Sequence, residues 1–317
     1  MMHILVTNDD GPPSAQSSPY ILPFVNALEK AGHVVSVIVP NTQRSWIGKA
    51  HIVGQDVQAT HYWPPQSNPD VHTEGFTAED DGKHPWVLVN STPASCSQLG
   101  TSYFFEDRGP IDLVVSGPNY GRNTSALFAL SSGTLGAALE ASQCGQKAIA
   151  LSFAFYDRSN LPDVVAESCQ QSVRVCEWLA KNAKWDNATL YSVNVPVKKG
   201  VMEQKIVWTK MLQNQWGKGA CFQELPKESQ VDDAGTEEAR LRQQEGTESS
   251  ASGTATPSGK WAHRHFKWAP RFADVHESVK KAGPGYDGWA VMEGQTSITA
   301  LRANFMHTEG YEGELKL

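Results

Sequence analysis

The stretch that decides the fold is residues 3–11, HILVTNDDG, in which a run of β-branched and apolar residues ends in two adjacent carboxylates. His3–Thr7 is typical of a buried first strand, and Gly11 with the two prolines after it supplies a turn. Two like charges at the edge of a core are costly unless a positive group lies between them. The motif therefore leaves three options for Asp9 and Asp10: a metal ion, a Lys or Arg partner, or water.

Similar apolar runs recur along the chain, and helical patterns separate them. Continuous apolar character, rather than in–out alternation, is typical of strands covered on both faces in a parallel sheet. The alternation of strands and helices predicts an α/β fold with a doubly wound sheet. The candidate strands are His3–Thr7, Val34–Val39, Trp86–Asn90, Asp112–Ser116, Lys147–Phe153 and Thr189–Val195.

Helix signals lie between these strands. Ser18-Pro19 and Thr92-Pro93 each combine an N-cap residue with a proline suited to the first helical position. The small residues of Gly133–Gly145 predict a helix that approaches the sheet closely. The spacing of apolar residues in Leu161–Asn182 predicts a long amphipathic helix.

The composition is that of an ordinary globular chain of 317 residues, with 40% hydrophobic residues and a net charge of −7. A modestly acidic chain has no overall attraction for nucleic acid or anionic membranes. We therefore expect a small-molecule substrate, no stable nucleic-acid complex and no membrane association. With no basic segment or long apolar run at the N-terminus, we expect a cytoplasmic protein. The five scattered cysteines argue against a disulfide framework and a structural zinc site.

One domain is expected over residues 1–317, with a core at 1–195 and an accessory region at 196–317. Between Glu224 and Lys260 the chain has no aromatic residue, and Glu, Gln, Ser, Thr, Gly and Ala dominate. Such a segment buries too little apolar surface to offset its ordering entropy, so a disordered insertion is expected at 224–260. An alternating strand at Ser297–Leu301 follows, so the insertion interrupts the accessory region and does not separate two domains.

Polar loops follow the carboxyl ends of three candidate strands, where ligands of doubly wound sheets bind. Besides the acidic pair, one loop carries hydroxyls, Arg44 and Lys49, and another carries two Asn residues and the cluster 131–134, SSGT. Carboxylate, amide and hydroxyl oxygens suit Mg²⁺ or Mn²⁺, and a hydroxyl-rich helix N-terminus suits a phosphate. Ordinary turns and caps are the favoured explanation of each loop alone, but the combination of the loops favours a site for a cation and a phosphate.

Eight segments, in this order, resemble the SurE family of metal-dependent nucleotidases and acid phosphatases, and its fungal branch in particular. They are HILVTNDDG, PNTQRSW, NSTPASC, DLVVSGPNYGRN, SSGTLGAALEA, KAIALSF, YSVNVP and DGWAVMEGQTSITAL. The resemblance covers nearly the whole chain apart from 224–260. It implies a Rossmann-like, mostly parallel sheet with a small C-terminal region used in oligomerisation, and hence a homodimer or homotetramer. It also implies a divalent cation, Mg²⁺ or Mn²⁺, as cofactor.

The resemblance also implies roles for individual residues. The implied metal ligands are Asp9, Asp10, Ser45 and Asn119, and the implied catalytic residues are Asp9, Asp10 and Asn119. The implied phosphate-binding residues are Asn123, Ser132, Gly133 and Thr134, and the candidates for substrate contact are Asn8 and Lys49. The chain departs from the family pattern at Pro118 and Ser95, but at none of the implied metal ligands.

The expected function is hydrolysis of phosphomonoesters, nucleoside 5′- or 3′-monophosphates above all, by a metal-activated water with Asp9 or Asp10 as its base. The alternatives are a broad-specificity acid phosphatase and a non-catalytic nucleotide-binding sensor. A dinucleotide-binding oxidoreductase is disfavoured because no G-x-G-x-x-G follows the first strand. A receiver domain is disfavoured because Asp112 begins a strand, whereas a phosphoacceptor Asp ends one.

Overall fold

The computed structural model describes residues 1–64, 84–155, 160–186, 189–217, 221–225, 236, 238–239, 241–242 and 264–305. A nine-stranded sheet forms the centre of the molecule, and a separate pair of strands forms a second sheet. The strands are β1 (His3–Thr7), β2 (Val34–Pro40), β3 (Ala59–Tyr62), β4 (Trp86–Val89), β5 (Leu113–Tyr120), β6 (Ala148–Phe155), β7 (Thr189–Val197), β8 (Ile206–Trp208), β9 (Phe222–Leu225), β10 (His265–Trp268) and β11 (Thr296–Arg302).

Seven α-helices are complete among the described residues. They are α1 (Ile21–Lys30), α2 (Pro93–Ser102), α3 (Ser125–Ser131), α4 (Gly133–Gln143), α5 (Pro162–Asn182), α6 (Phe272–Ala282) and α7 (Asp287–Met292). Short 3-10 helices lie at Glu106–Arg108 and Val201–Glu203. No helix that these residues form is both long and apolar enough to cross a membrane.

The order of the large sheet is β3-β4-β2-β1-β5-β6-β7-β11-β8. β1 pairs in parallel with β2 on one side and with β5 on the other. β4 extends the β2 side in parallel, and β6 and then β7 extend the β5 side in parallel. β3 on β4 and β11 on β7 are antiparallel pairs. The strand order therefore reverses at β1, and the crevice beyond the carboxyl ends of β1 and β5 is where such a sheet binds a ligand.

Each face of the sheet has its own apolar core. Ile4 and Val6 of β1 pack in the core that α1 and α5 cover, whereas Leu5 between them packs in the core that α2 and α4 cover. Side chains alternate along a strand, so a strand buried on both faces needs the continuous apolar run seen in the sequence.

The predicted α/β fold with a mostly parallel, doubly wound sheet is confirmed. All six candidate strands are present, and the main difference is that β5 continues past Ser116 to Tyr120. A register shift against β6 between Ser116 and Asn119 lets the strand continue. The predicted cap at Ser18 is wrong, because α1 begins at Ile21 and the Ser18 hydroxyl donates instead to the Gly11 carbonyl at 3.0 Å.

The disordered insertion at 224–260 stays a prediction, and the structure describes only residues 224–225, 236, 238–239 and 241–242 of that range. Glu224 and Leu225 belong to β9, which pairs with β10. The described residues from 236 to 242 have helical backbone, and Leu241 and Arg242 are each only 5% exposed. Composition underestimated their packing because the apolar surface they bury against comes from elsewhere in the chain. The rest of the range lies outside the described residues.

The division into a core at 1–195 and an accessory region at 196–317 stays a prediction, but Asp287 ties the two ranges together. Its buried carboxylate accepts hydrogen bonds from the backbone N–H groups of Ser125 at 2.8 Å, Leu212 at 3.1 Å and Gly288 at 2.7 Å. Burial raises the pKa of Asp287, and these donors oppose the increase. One side chain therefore fixes the start of α7 against the start of α3.

Replacing Asp287 with Ala is expected to lower the free energy of unfolding by on the order of 3 kcal/mol, because it leaves buried N–H donors without an acceptor. Urea denaturation followed by circular dichroism measures the change. Asp186→Ala, which removes an exposed carboxylate, is the matched control and should change little. Equal effects of the two substitutions would show that the Asp287 contacts contribute nothing specific.

Candidate cation and phosphate site

The turn after β1 is held by Asn8, which is fully buried. Its side-chain amide donates to the Gly11 carbonyl at 2.8 Å and to the Ser18 hydroxyl at 3.1 Å, and its side-chain oxygen accepts from the Gly11 N–H at 3.0 Å. Gly11 has a φ of +85°, a conformation that favours glycine. This tight turn explains how two successive carboxylates, Asp9 and Asp10, can serve one site.

Asp9 lies against the N-terminus of α4. The Thr134 hydroxyl donates to Asp9 Oδ1 at 2.5 Å. A Cβ atom on Gly133 would lie 2.7 Å from Asp9 Cβ and 2.9 Å from Asp9 Oδ2, so only glycine permits this approach. Burial raises the pKa of Asp9 to about 7, and the neighbouring Asp10 carboxylate adds to the increase, while the Thr134 hydrogen bond opposes it.

Asp10 has a partner for each carboxylate oxygen. The Tyr120 N–H donates to Oδ2 at 2.7 Å, and Nη2 of Arg242 donates to Oδ1 at 2.5 Å. Burial raises the pKa of Asp10, whereas Arg242 and the Tyr120 N–H oppose the increase. Burial also disfavours the charged form of Arg242, but Asp10 and Glu238 outweigh burial and raise the arginine pKa.

The two asparagines after the β5 register shift are anchored through their side-chain N–H groups. Asn119 donates to the Gly121 carbonyl at 2.7 Å, and Asn123 donates to the Ser152 hydroxyl at 2.9 Å. The Asn123 backbone N–H donates to the side-chain oxygen of Asn194 at 2.8 Å. The side-chain oxygens of Asn119 and Asn123 are thus the atoms left for a ligand.

These side chains line a cleft of about 460 Å³ at the carboxyl ends of β1 and β5. One part of its lining is polar or charged and another part is apolar. The polar and charged residues are Asp9, Ser45, Asn119, Arg122, Asn123, Ser131, Ser132, Glu238 and Arg242. The remaining lining residues are Trp46, Tyr120, Gly121, Phe128, Leu241 and Phe272.

The apolar part of the cleft is an aromatic wall formed by Trp46, Phe128 and Phe272. The ring centroids lie 6.0 Å apart for Trp46 and Phe128, 6.2 Å for Trp46 and Phe272, and 5.9 Å for Phe128 and Phe272. Trp46 has a φ of +64°, which is uncommon for a residue of its size. Leu241 packs into the same cluster.

Most of the residues implied by the resemblance come together here. Five of them line the cleft: Asp9, Ser45, Asn119, Asn123 and Ser132. Three more lie directly behind the lining residues and contact them: Asp10, Gly133 and Thr134.

The remaining two implied residues, Asn8 and Lys49, make contacts outside the cleft lining, and the structure adds residues to the site that the resemblance does not imply. Asn8 holds the turn, and Lys49 Nζ lies 2.6 Å from Glu140 Oε2. Sequence reasoning missed Arg242 and the aromatic wall, and the one available signal was Trp46 beside Ser45.

The oxygen atoms of the site fit a hard divalent cation. Carboxylate, hydroxyl and amide oxygens of Asp9, Asp10, Ser45 and Asn119 are the donor types that Mg²⁺ and Mn²⁺ prefer. Within the described ranges, no group of three or more His, Cys, Asp or Glu side chains is placed to hold a metal ion, so a cation here also needs the hydroxyl and amide oxygens. Two buried carboxylates lie beside one arginine, and burial, followed by the Asp10 carboxylate, raises the pKa of Asp9.

Comparison with known proteins finds one family along most of the chain. A family model described as survival protein SurE matches residues 4–218. The proteins named 5′-nucleotidase SurE of Methanopyrus kandleri and Nitratidesulfovibrio vulgaris are 33% and 34% identical over 200 and 167 residues. These matches cover 62% and 53% of this chain, and 66% and 56% of the two relatives.

A longer relative and a solved structure add to this. The Saccharomyces cerevisiae protein named probable tubulin–tyrosine ligase PBY1 is 31% identical over 347 residues, covering 100% of this chain and 43% of that protein. This chain thus spans less than half the length of the yeast relative. The crystal structure of the SurE protein from Aquifex aeolicus superposes with a TM-score of 0.63 over 96% of this chain and 94% of that one. At 22% sequence identity, this superposition shows the shared fold.

Gly133→Ala is expected to push Asp9 out of place, because the added carbon has no room beside the Asp9 side chain. We expect Mn²⁺ affinity, measured by isothermal titration calorimetry, to fall by about tenfold or more. Gly145→Ala is the matched control at the other end of α4. Its φ of +81° makes the substitution strained, yet no atom lies within 4 Å of the added carbon. Unchanged Mn²⁺ binding by the Gly133 variant would contradict the placement of Asp9 in a cation site.

Proposed function

The chain belongs to the SurE family, and on that premise we propose that it hydrolyses phosphomonoesters with a divalent cation as cofactor. The preferred substrates in this proposal are nucleoside 5′- or 3′-monophosphates. The observation that carries it is the buried pair Asp9 and Asp10, set at the switch point of the sheet and against the N-terminus of α4. The relatives named 5′-nucleotidase support the reaction class. The ligase name of the yeast protein belongs to a chain of more than twice this length.

In this proposal Asp9, Asp10, Ser45 and Asn119 hold the cation. When bound, the cation neutralises charge on the phosphoryl oxygens and acidifies a water molecule. Hydrolysis of phosphomonoesters is extremely slow without catalysis, and charge stabilisation and positioning account for most of the acceleration. The four side chains therefore act by holding charge in a fixed place.

In this proposal the phosphoryl group binds at the N-terminus of α4, a position supported by Ser132 and Asn123, which line the cleft there. Ser132 already caps α4, since its hydroxyl accepts from the Leu135 N–H at 3.2 Å. A helix N-terminus with free N–H groups favours an anion. Because residue 133 is glycine, this end of α4 lies close to Asp9. The proposed phosphate position is therefore next to the proposed cation position.

Asp9 is the better candidate for the base that takes the proton of the attacking water. Both oxygens of Asp10 already accept hydrogen bonds, from Tyr120 and from Arg242. The Asp9 carboxylate accepts from the Thr134 hydroxyl at Oδ1 and from its own backbone N–H, and among the described residues no other side chain donates to it. Thr134 thereby orients the carboxylate and leaves one oxygen for the water.

The aromatic wall supports a nucleotide substrate over a small aliphatic phosphomonoester. Trp46, Phe128 and Phe272 line the same cleft as Asp9, so an apolar or aromatic leaving group finds stacking surface beside the phosphate position. Stacking of a base on an aromatic side chain tolerates every base, which agrees with a site whose specificity lies mainly at the phosphate.

We also propose that the protein is a cytoplasmic homodimer or homotetramer. Family membership supports assembly, and so does an exposed apolar patch where the large sheet ends at β8. Ile206, Trp208 and the neighbouring Trp178 are 43%, 55% and 50% exposed. Large apolar side chains clustered on a surface are typical of interfaces.

Asp9→Asn is expected to lower phosphate release by about two orders of magnitude or more, because it removes the base and a cation ligand. The assay uses a panel of 5′- and 3′-nucleotides and p-nitrophenyl phosphate, each with Mg²⁺, Mn²⁺ or EDTA. Thermal stability without metal should stay equal or rise, since one of two adjoining buried charges is removed.

Asp186→Asn, at an exposed position, is the matched control for this experiment. Full activity of the Asp9 variant would refute the assignment. A wild-type protein that binds nucleotides without turning them over would instead be the non-catalytic sensor.

Trp46→Leu is expected to raise KM for nucleotides by about tenfold through loss of stacking, while KM for glycerol phosphate changes little. Leucine keeps an apolar side chain against Phe128. Tyr103→Leu, at an exposed aromatic residue outside the cleft lining, is the control. An equal rise for both substrates would assign Trp46 to packing, and no rise for either would remove the aromatic wall from substrate binding.

A further inference from the structure

Arg242 is buried in the cleft although it comes from the segment in which disorder is expected. It is 5% exposed. Its Nη2 atom lies 2.5 Å from Asp10 Oδ1 and 3.2 Å from the Ser45 hydroxyl, and its Nη1 atom donates to the Ser17 carbonyl at 3.1 Å. The two hydrogens of Nη2 are thus directed to two oxygens.

Both oxygen atoms that bind Nη2 belong to the four implied cation ligands, Asp9, Asp10, Ser45 and Asn119. A guanidinium is itself a cation, and it holds Asp10 Oδ1 in a short charge-assisted hydrogen bond. The sequence left open whether a metal ion, a Lys or Arg side chain, or water lies beside the acidic pair. In the structure an arginine pairs with Asp10. A divalent ion that used the same oxygens would meet both steric overlap and like-charge repulsion.

The position of Arg242 is fixed by its neighbours as well as by Asp10. Glu238, one helical turn earlier, lies with Oε1 3.1 Å from the arginine Nε. The guanidinium carbon lies 4.8 Å from the centroid of the Tyr120 ring. Leu241 packs with Phe128 and Phe272. These contacts hold the guanidinium over Asp10 and reduce the entropy it loses on pairing.

We propose that Arg242 competes with the divalent cation for Asp10 and Ser45 and thereby sets the cation affinity of the site. This inference rests on the cation site of the proposed function. Cation binding through Asp10 Oδ1 requires that Nη2 leave a buried carboxylate, and that loss weakens the apparent affinity. Removing the guanidinium removes the competitor while leaving all four ligand side chains in place.

Mn²⁺ titration by calorimetry of the full chain, without substrate, tests the competition. Arg242→Met keeps the length and apolar stem of the side chain, and we expect it to bind Mn²⁺ about tenfold tighter or more. Arg242→Lys, which keeps the charge but lacks the planar fork, should fall between Met and wild type. Arg264→Met is the matched control. It removes the same charge from an exposed arginine that pairs with Glu224, and it should leave Mn²⁺ affinity within about twofold of wild type.

Unchanged or weaker Mn²⁺ binding by Arg242→Met would overturn the proposal. A higher KM for nucleotides at unchanged Mn²⁺ affinity would overturn it too, and would assign Arg242 to the substrate phosphate. The readout does not depend on turnover. If the wild type is inactive but Mn²⁺ affinity rises from wild type through Arg242→Lys to Arg242→Met, only the proposed function is refuted. If the wild type is active but all three proteins bind Mn²⁺ equally, only this inference is refuted.

A measurement on the wild type guards against a variant that fails to fold. Phenylglyoxal modifies accessible arginines, and peptide mass spectrometry reports the extent at Arg242. We expect Mg²⁺ to increase modification of Arg242 by severalfold, because the cation displaces the guanidinium from Asp10, and to leave Arg264 unchanged. A decrease or no change at Arg242 on addition of Mg²⁺ would contradict the competition.

Discussion

Two carboxylates buried side by side at the carboxyl end of β1 are the constraint on which the rest of the site depends. Each of Asp9 and Asp10 is at most 2% exposed, and burial of adjoining like charges opposes folding. The surrounding structure offsets that cost with directed donors: the Thr134 hydroxyl, the Tyr120 N–H and the Arg242 guanidinium. A protein that needed these positions only for packing would carry apolar residues there.

The site is completed by chain that lies far from β1 in sequence. Phe272 supplies part of the aromatic wall, Leu241 and Arg242 close the cleft above Asp10, and Asp287 fixes α7 to the start of α3. β11 enters the large sheet between β7 and β8. The C-terminal third therefore supplies part of the cleft lining, while the first two thirds place the carboxylates, the N-terminus of α4 and the rest of the aromatic wall.

Sequence predicted those parts of the molecule whose causes are local. The continuous apolar runs predict β1, β2 and β5 because burial on both faces needs apolar residues at every position, and the residues after them fall at one edge of the sheet. Arg242 could not be predicted in the same way. Its partner Asp10 is 232 residues away in sequence, and the polar composition around it is that of a solvated segment. The role of Asn8 as a substrate contact stays a prediction, because a motif does not show that the side-chain amide is used within the turn.

The charges of the site also suggest an order of binding. Asp9 and Asp10 carry two negative charges when ionised, and Arg242 supplies one positive charge, so the pair with its arginine is still anionic and repels a phosphate. In the proposed cation site, a divalent ion in place of the guanidinium would balance both carboxylates. The positive end of the α4 dipole would then dominate the electrostatic field that acts on an anion. Cation before phosphate is the order that this arrangement favours. In the proposed competition, the arginine would satisfy Asp10 when no cation is bound and would leave the site unattractive to phosphate.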